Sequence, residues 1–111
     1  MKTLQFEMIG GASGDMILGA LIELGADAKR LAEGLSSLPI EPFDLEAMPF
    51  QGGKIHGVQV TVRLREHPHH HARNLRDIRK IVTDSRLPEK VKDLSLKVFE
   101  RLAAAEAKVH G

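Results

Sequence analysis

Four histidines fall within five positions, His67, His69, His70 and His71, out of six in the 111-residue chain. Neutral imidazole is a good ligand for nickel, zinc, copper and iron, and affinity along this series rises toward nickel and copper. Pro68 disfavours a helix at His67 and favours extended backbone, in which His67, His69 and His71 point to one side. In a helix, His67 and His71 would stack at four-residue spacing, so either geometry offers at least two ligands. The run is interrupted by a proline and lies inside the chain, which argues against an expression tag. The plain alternative is a solvated loop that binds metal only adventitiously, and the histidines do not by themselves specify the metal.

A second stretch with chemistry in it is Gly10-Gly11-Ala12-Ser13-Gly14-Asp15. Glycines let backbone N–H groups turn toward one point, and a helix starting here would add a partial positive charge that favours anions. Gly10, Gly11, Ser13 and Gly14 are therefore candidates for holding phosphate. The spacing matches neither the P-loop, which needs a Lys-Ser/Thr pair, nor the dinucleotide fingerprint, nor a nucleophile elbow. A tight turn with a capped helix is the alternative. Glu7 and Asp15 flank the loop and could face one opening, which makes them the candidate catalytic carboxylates.

Other residues carry weaker signals. His56 shares the parity of a run of valines, where a satisfied core or edge histidine is the expectation, and His110 is read the same way. Serine catalysis through Ser13 lacks a local histidine base and an orienting third group.

These groups must be positioned by a small fold. Leu4, Phe6 and Met8 alternate with Gln5 and Glu7, predicting a strand that runs into the glycine loop. Met16, Ile17, Ala20, Leu21 and Leu24 then recur at helical spacing, with Ser13 or Asp15 as the side-chain cap. Leu18 and Ile22 widen that surface, predicting a central helix, and Gly19 allows close backbone approach. Gly25 is a natural stop, and Asp27 caps a shorter helix bearing Leu31, Ala32, Leu35 and Leu38 on one side. A strand over Phe43 to Met48, ended early or placed at an edge by Pro49, turns at Gly52-Gly53 into a strand with Val58, Val60, Val62 and Leu64 on one face. Asn74 caps a helix with Leu75, Ile78, Ile81 and Val82 in a stripe ending near Asp84-Ser85. Pro88 opens a long last helix on which Val91, Leu94, Val98, Leu102, Ala105 and Val109 recur. Leu96, Phe99 and Ala103 add apolar area that asks for a partner, a second copy or a following segment. The expectation is one α+β domain spanning 1–111, a small mixed sheet of strand plus antiparallel hairpin packed by helices, in the order β-α-α-β-β-α-α.

Composition narrows the partners. Net charge is +1, with 42% apolar and 28% charged residues, so there is no general pull toward nucleic acid or membrane. Four phenylalanines, with no tryptophan or tyrosine, supply few base-stacking platforms. The absence of cysteine removes disulfides and thiolate metal sites, and with no signal-like or membrane-spanning run the expected location is the cytoplasm.

Taken together, Gly11-Ala12-Ser13-Gly14-Asp15-Met16, His69-His70-His71 followed by Leu75-Arg76-Asp77-Ile78, and Ala103-Ala104-Ala105-Glu106-Ala107-Lys108-Val109-His110-Gly111 resemble the nickel-insertion proteins that complete the nickel-pincer cofactor of lactate racemase. The resemblance covers nearly all of the chain and the N-terminal portion of a family member. It implies a lyase-type nickel chelatase that inserts Ni(II) into pyridinium-3,5-bisthiocarboxylic acid mononucleotide, forming carbon–nickel and sulfur–nickel bonds and consuming CTP. It further implies that CTP and its divalent metal belong to the C-terminal remainder, and that this portion alone does not complete the reaction. Carried over, His67 to His71 gather nickel, and Gly10 to Asp15 meet the mononucleotide's phosphate or nearby charge. The family usually has aspartate where this chain has Glu7.

Two further readings stay open: a metallochaperone or nickel-binding module without catalysis, and a docking or oligomerisation domain whose last helix pairs with the remainder or a second copy.

Overall fold

The computed structural model of the protein describes residues 1–65 and 73–111, with the elements α1 (Gly14–Glu23), α2 (Ala28–Leu35), β1 (Phe43–Gly52), β2 (Ile55–Leu64), α3 (Leu75–Asp84) and α4 (Glu89–His110). Contacts group these into two units, Met1–Ala28 with Asp44–Arg63, and Lys29–Phe43 with Leu64–Gly111. No helix among the described residues is long and apolar enough to cross a membrane.

The first unit is built on the antiparallel hairpin of β1 and β2, the two strands of its sheet. Gly53, at φ 65°, and Lys54 form its two-residue loop; positive φ at the first loop position alone fits the type II′ turn, whose twist matches that of paired strands. Such a loop sets Gly52 opposite Ile55 and Pro49 opposite Val58. The far rung, Arg65 N–H donating to the Pro42 carbonyl at 3.1 Å, preserves this register along the full ladder. Pro49 therefore occupies a position whose backbone nitrogen points away from β2, and the strand runs through it at a sheet edge, the second of the two placements its sequence allows. Arg63 pairs with Glu46 across the strands at 3.0 Å.

α1 meets β2 at one close point. Gly19 is buried, and a β-carbon there would collide with the outward-facing carbonyl of Val58 and touch Val60, which is 4% exposed. This contact fixes the rotation of α1. Leu18, Leu21 and Ile22 become half-buried, whereas Met16, Ile17, Ala20 and Leu24 stay outside. The expected helix face and its coverage on several sides are thus corrected: backbone approach at a glycine outranks the wider apolar stripe. A ten-residue helix is about 15 Å long and a ten-residue strand about 33 Å, so α1 covers only part of β2. Val58 and Val60 gain cover, and Val62 and Leu64 remain half exposed. Gly25, at φ 112°, closes the helix in a Schellman arrangement, with Ala26 N–H donating to Leu21 O and Gly25 N–H to Ile22 O.

The strand expected over Leu4 to Met8 does not form, so the order is α-α-β-β-α-α and the sheet is a two-stranded hairpin instead of a mixed sheet. Alternation specifies a face but not a partner, and a single strand needs a neighbouring ladder. α1 stands against the outer side of β2 at Val58, and Pro49 withholds a donor on the outer side of β1. Leu4, Phe6 and Met8 accordingly remain exposed.

In the second unit, α2 turns Leu31, Ala32 and Leu35 inward, as its spacing predicts, with Leu38 just beyond its end. The Ser37 hydroxyl donates to Gly34 O at 2.8 Å and accepts from Arg86 N–H at 3.2 Å, tying the α2 exit to the loop before α4. α3 begins in a full capping box, in which Asn74 Oδ1 accepts from Asp77 N–H at 2.9 Å and Asp77 Oδ2 from Asn74 N–H at 3.0 Å. Its stripe of Leu75, Ile78, Ile81 and Val82 is covered, Val82 to 5% exposure.

α4 packs on α3 through Ser95, Leu96, Phe99 and Ala103, the reverse of the expectation that these were surplus area. The sequence carries two apolar stripes on this helix, and α3 can cover one. Polar contacts at the rim of the packed stripe select it: Arg79 Nη2 donates to Glu100 Oε1 at 3.0 Å, and Lys92 Nζ donates to Thr83 O at 3.0 Å near the carbonyl end of α3. The stripe from Val91 to Val109 faces solvent.

Candidate functional site

Gly19 and Asp15 are four residues apart on α1 and therefore share a face, so the contact that seats Gly19 on Val58 also carries Asp15 to the hairpin. There it borders an open groove of about 270 Å³ lined by Asp15, Met16, Phe50, Val58, Gln59 and Val60. All six belong to the first unit. Phe50 lies along its strand because Gly52 has no side chain; a β-carbon there would come within 3.0 Å of the ring. The residues bordering the groove are thus one aromatic, one methionine, two valines, one glutamine and one aspartate.

The electrostatics centre on Asp15. Ser13 has the extended backbone of an N-cap residue, but its hydroxyl donates to Asp15 Oδ1 instead of accepting a helix N–H, which corrects its expected capping role. That bond holds the Asp15 carboxyl below its ordinary value; partial loss of water opposes the shift, and backbone N–H groups of Met16 and Asp15 reinforce it. An exposed carboxylate kept ionised in this way is a weak proton acceptor and a good partner for positive charge. It also takes part of the donor capacity at the α1 N-terminus.

The other predicted residues are placed separately. Gly10 and Gly11 adopt φ of 78° and 96°, in the left-handed region that glycine tolerates, and turn the chain into α1. With Ser13 and Gly14 they are exposed beside Asp15. Glu7 is exposed in the irregular segment before α1 and does not line the groove, so the two acids are not brought together there. His67, His69, His70 and His71 lie outside the described residues. Among the described residues, no group of three histidine, aspartate or glutamate side chains is arranged to hold a metal. His56 is an exposed strand residue whose Nδ1 accepts from Gln51 Nε2 at 3.2 Å, in keeping with an edge histidine. His110 is exposed at the end of α4.

Phe50, Met16 and Gln59 were not singled out as site residues. Phe50 and Gly52 share strand parity beside a glycine turn, and Asp15 and Gly19 share a helix face, but nothing along the chain joins the two pairs.

Comparison with known proteins places these features in context. The family model described as nickel insertion protein matches residues 4–111. Over 117 aligned residues, 99% of this chain is 43% identical to the pyridinium-3,5-bisthiocarboxylic acid mononucleotide nickel insertion protein of Acetivibrio thermocellus, covering 29% of that protein. Proteins of the same name from Akkermansia muciniphila and Staphylococcus epidermidis are 42% and 39% identical, over 100% and 99% of this chain and 29% and 27% of their own lengths. The chain thus spans under a third of the length of the curated relatives it matches. No solved structure matches it.

Proposed function

Because the chain belongs to the nickel insertion protein family, we propose that it contributes nickel capture and part of the substrate site to insertion of Ni(II) into pyridinium-3,5-bisthiocarboxylic acid mononucleotide. Nickel is a substrate of this reaction, gathered by His67, His69, His70 and His71 and passed to the cofactor precursor. The precursor's two thiocarboxylate sulfurs donate electron pairs to the metal. The ring carbon between them exchanges its bond to hydrogen for a bond to nickel, and the hydrogen leaves as a proton. CTP and its divalent metal act in the further length that the relatives possess, so residues 1–111 alone do not complete the cycle.

The observation that carries the substrate assignment is the pairing of Asp15 with Phe50 in one groove. A pyridinium ring is flat and cationic. Phe50 offers a π face, Met16 and Val58 offer apolar contact, and Asp15 supplies the countercharge that Ser13 keeps ionised. The phosphate of the mononucleotide then takes the N–H groups of Gly10, Gly11, Ser13 and Gly14 as donors, which offset its repulsion from the neighbouring carboxylate. In this reading Asp15 orients the ring instead of removing its proton.

The test is a reconstituted full-length protein carrying Asp15→Asn. Cofactor output should fall about tenfold, about 1.4 kcal/mol of lost recognition, while nickel uptake stays unchanged. Full output from that variant would remove Asp15 from the substrate site.

A further inference from the structure

We propose that the solvent-facing stripe of α4 is a docking surface for an amphipathic helix bordered by carboxylates, supplied by the further length that the family's members possess. Val91, Leu94, Val98, Leu102 and Val109 are 44%, 66%, 60%, 53% and 78% exposed. With Ala105 they form a continuous strip, about 27 Å from end to end at the helical rise. Five steps span eighteen residues, which is 3.6 per turn, so the strip runs straight along the helix. A strip that winds a left-handed supercoil repeats every 3.5 residues, so this one suits packing within a globular assembly better than a long coiled coil.

The charges beside the strip choose the occupant. Lys90, Lys97, Arg101 and Lys108 all project along one border, at spacings of seven, four and seven residues. All four are exposed, and none has an ion pair among the described residues. The opposite border carries Ser95 and Glu106. In an antiparallel pair of identical helices each border meets its own copy, which would set four cations against four. A parallel pair would set the cations against one carboxylate per copy, with the helix dipoles side by side. Both self-pairings are unfavourable. A helix with an apolar stripe and an Asp/Glu edge covers the aliphatic side chains and answers the unpaired cations together.

The source follows from length. The matched relatives are more than three times as long as this chain, and their remaining length has room for such a helix. This inference is independent of the groove at Asp15.

The test uses two synthetic stapled helices with the same leucine stripe, one edged with glutamate and one with lysine, titrated into residues 1–111. The glutamate-edged peptide should bind at least tenfold tighter, with a preference that shrinks as salt rises. Lys97→Glu/Arg101→Glu should abolish the preference, and Leu94→Ser/Val98→Ser should weaken both peptides about tenfold, each with an unchanged helical circular dichroism spectrum. Lys2→Glu/Lys54→Glu, remote in sequence, should leave the preference intact. The full-length Acetivibrio thermocellus relative should not bind the glutamate-edged peptide, its site being filled from within. Equal binding of the two peptides, loss of preference in the Lys2/Lys54 variant, or tight binding to the full-length relative would each overturn the proposal. So would a dimer of residues 1–111, seen by sedimentation, that Leu94→Ser/Val98→Ser dissociates.

Discussion

Gly19 of α1 stands against the backbone carbonyl of Val58 in β2, with a hydrogen where any other residue would place a β-carbon. Gly19→Ala would force that carbon into the oxygen. Overpacking of this kind costs about 1–3 kcal/mol and the gain in helix propensity returns about 1; because the clash is with a backbone oxygen the upper part of the range applies, and a net loss of up to about 2 kcal/mol is expected. Thermal unfolding should show a lowered midpoint. Gly14→Ala, where the same carbon meets open space at the first turn, should leave the midpoint unchanged or raise it slightly.

The Ser13 hydroxyl is the main cause of the depressed Asp15 carboxyl, so Ser13→Ala should move its titration upward. The folded value lies below the unfolded one. The contribution to stability is therefore present above the ordinary aspartate range and is lost as pH falls through the folded value. Carboxyl carbon chemical shifts, followed from neutral to acid pH, should give a lower midpoint for Asp15 in the parent than in the variant.

If Phe50 presents its ring to a pyridinium, Phe50→Leu should weaken a pyridinium mononucleotide while leaving the groove apolar. With nicotinic acid mononucleotide as probe, a loss of about fivefold is expected, about 1 kcal/mol of cation–π interaction. Equal affinity in the two proteins would assign the ring to packing alone.

The histidine segment carries the nickel prediction. Replacing His67, His69, His70 and His71 by alanine should remove saturable Ni(II) binding in calorimetric titration. Zinc should compete weakly for the parent, following the affinity order for imidazole sites. Binding that survives the replacement would mean that nickel enters elsewhere.

α3 supplies a stability control far in chemistry from the groove. Asn74→Ala removes the side-chain acceptor for Asp77 N–H, leaving the Asn74 backbone N–H to donate to Asp77, and should cost about 1 kcal/mol, read by denaturant titration, with mononucleotide affinity unaltered.

What could be read from sequence was what neighbours along the chain decide. Asn74 and Asp77 are three residues apart and cap α3 by themselves, and Gly25 ends α1 by its own backbone freedom. The stripe of α3 and the Gly53 turn belong to the same class. What could not be read was settled by residues distant in sequence. The rotation of α1 depends on the Val58 carbonyl, and the choice between two stripes on α4 depends on Thr83 and Arg79 of α3. The alternation of Leu4, Phe6 and Met8 is a true pattern for which the described residues offer no ladder. At the candidate site, Asp15 was legible as a carboxylate beside a glycine loop. Phe50 was not, because its approach to Asp15 passes through Gly19.

Pro49 and Gly19, chosen by different local needs, have a joint effect on how copies of this protein meet one another. A bare two-stranded hairpin is open on both sides to recruitment by any extended peptide, including its own kind. Here the outer side of β1 lacks a donor at Pro49 and that of β2 is shielded at Val58 by a helix, so edge-to-edge pairing with another strand is interrupted on both sides. A substitution such as Pro49→Val should therefore restore the missing donor and turn a well-behaved hairpin into a seed for ordered aggregation.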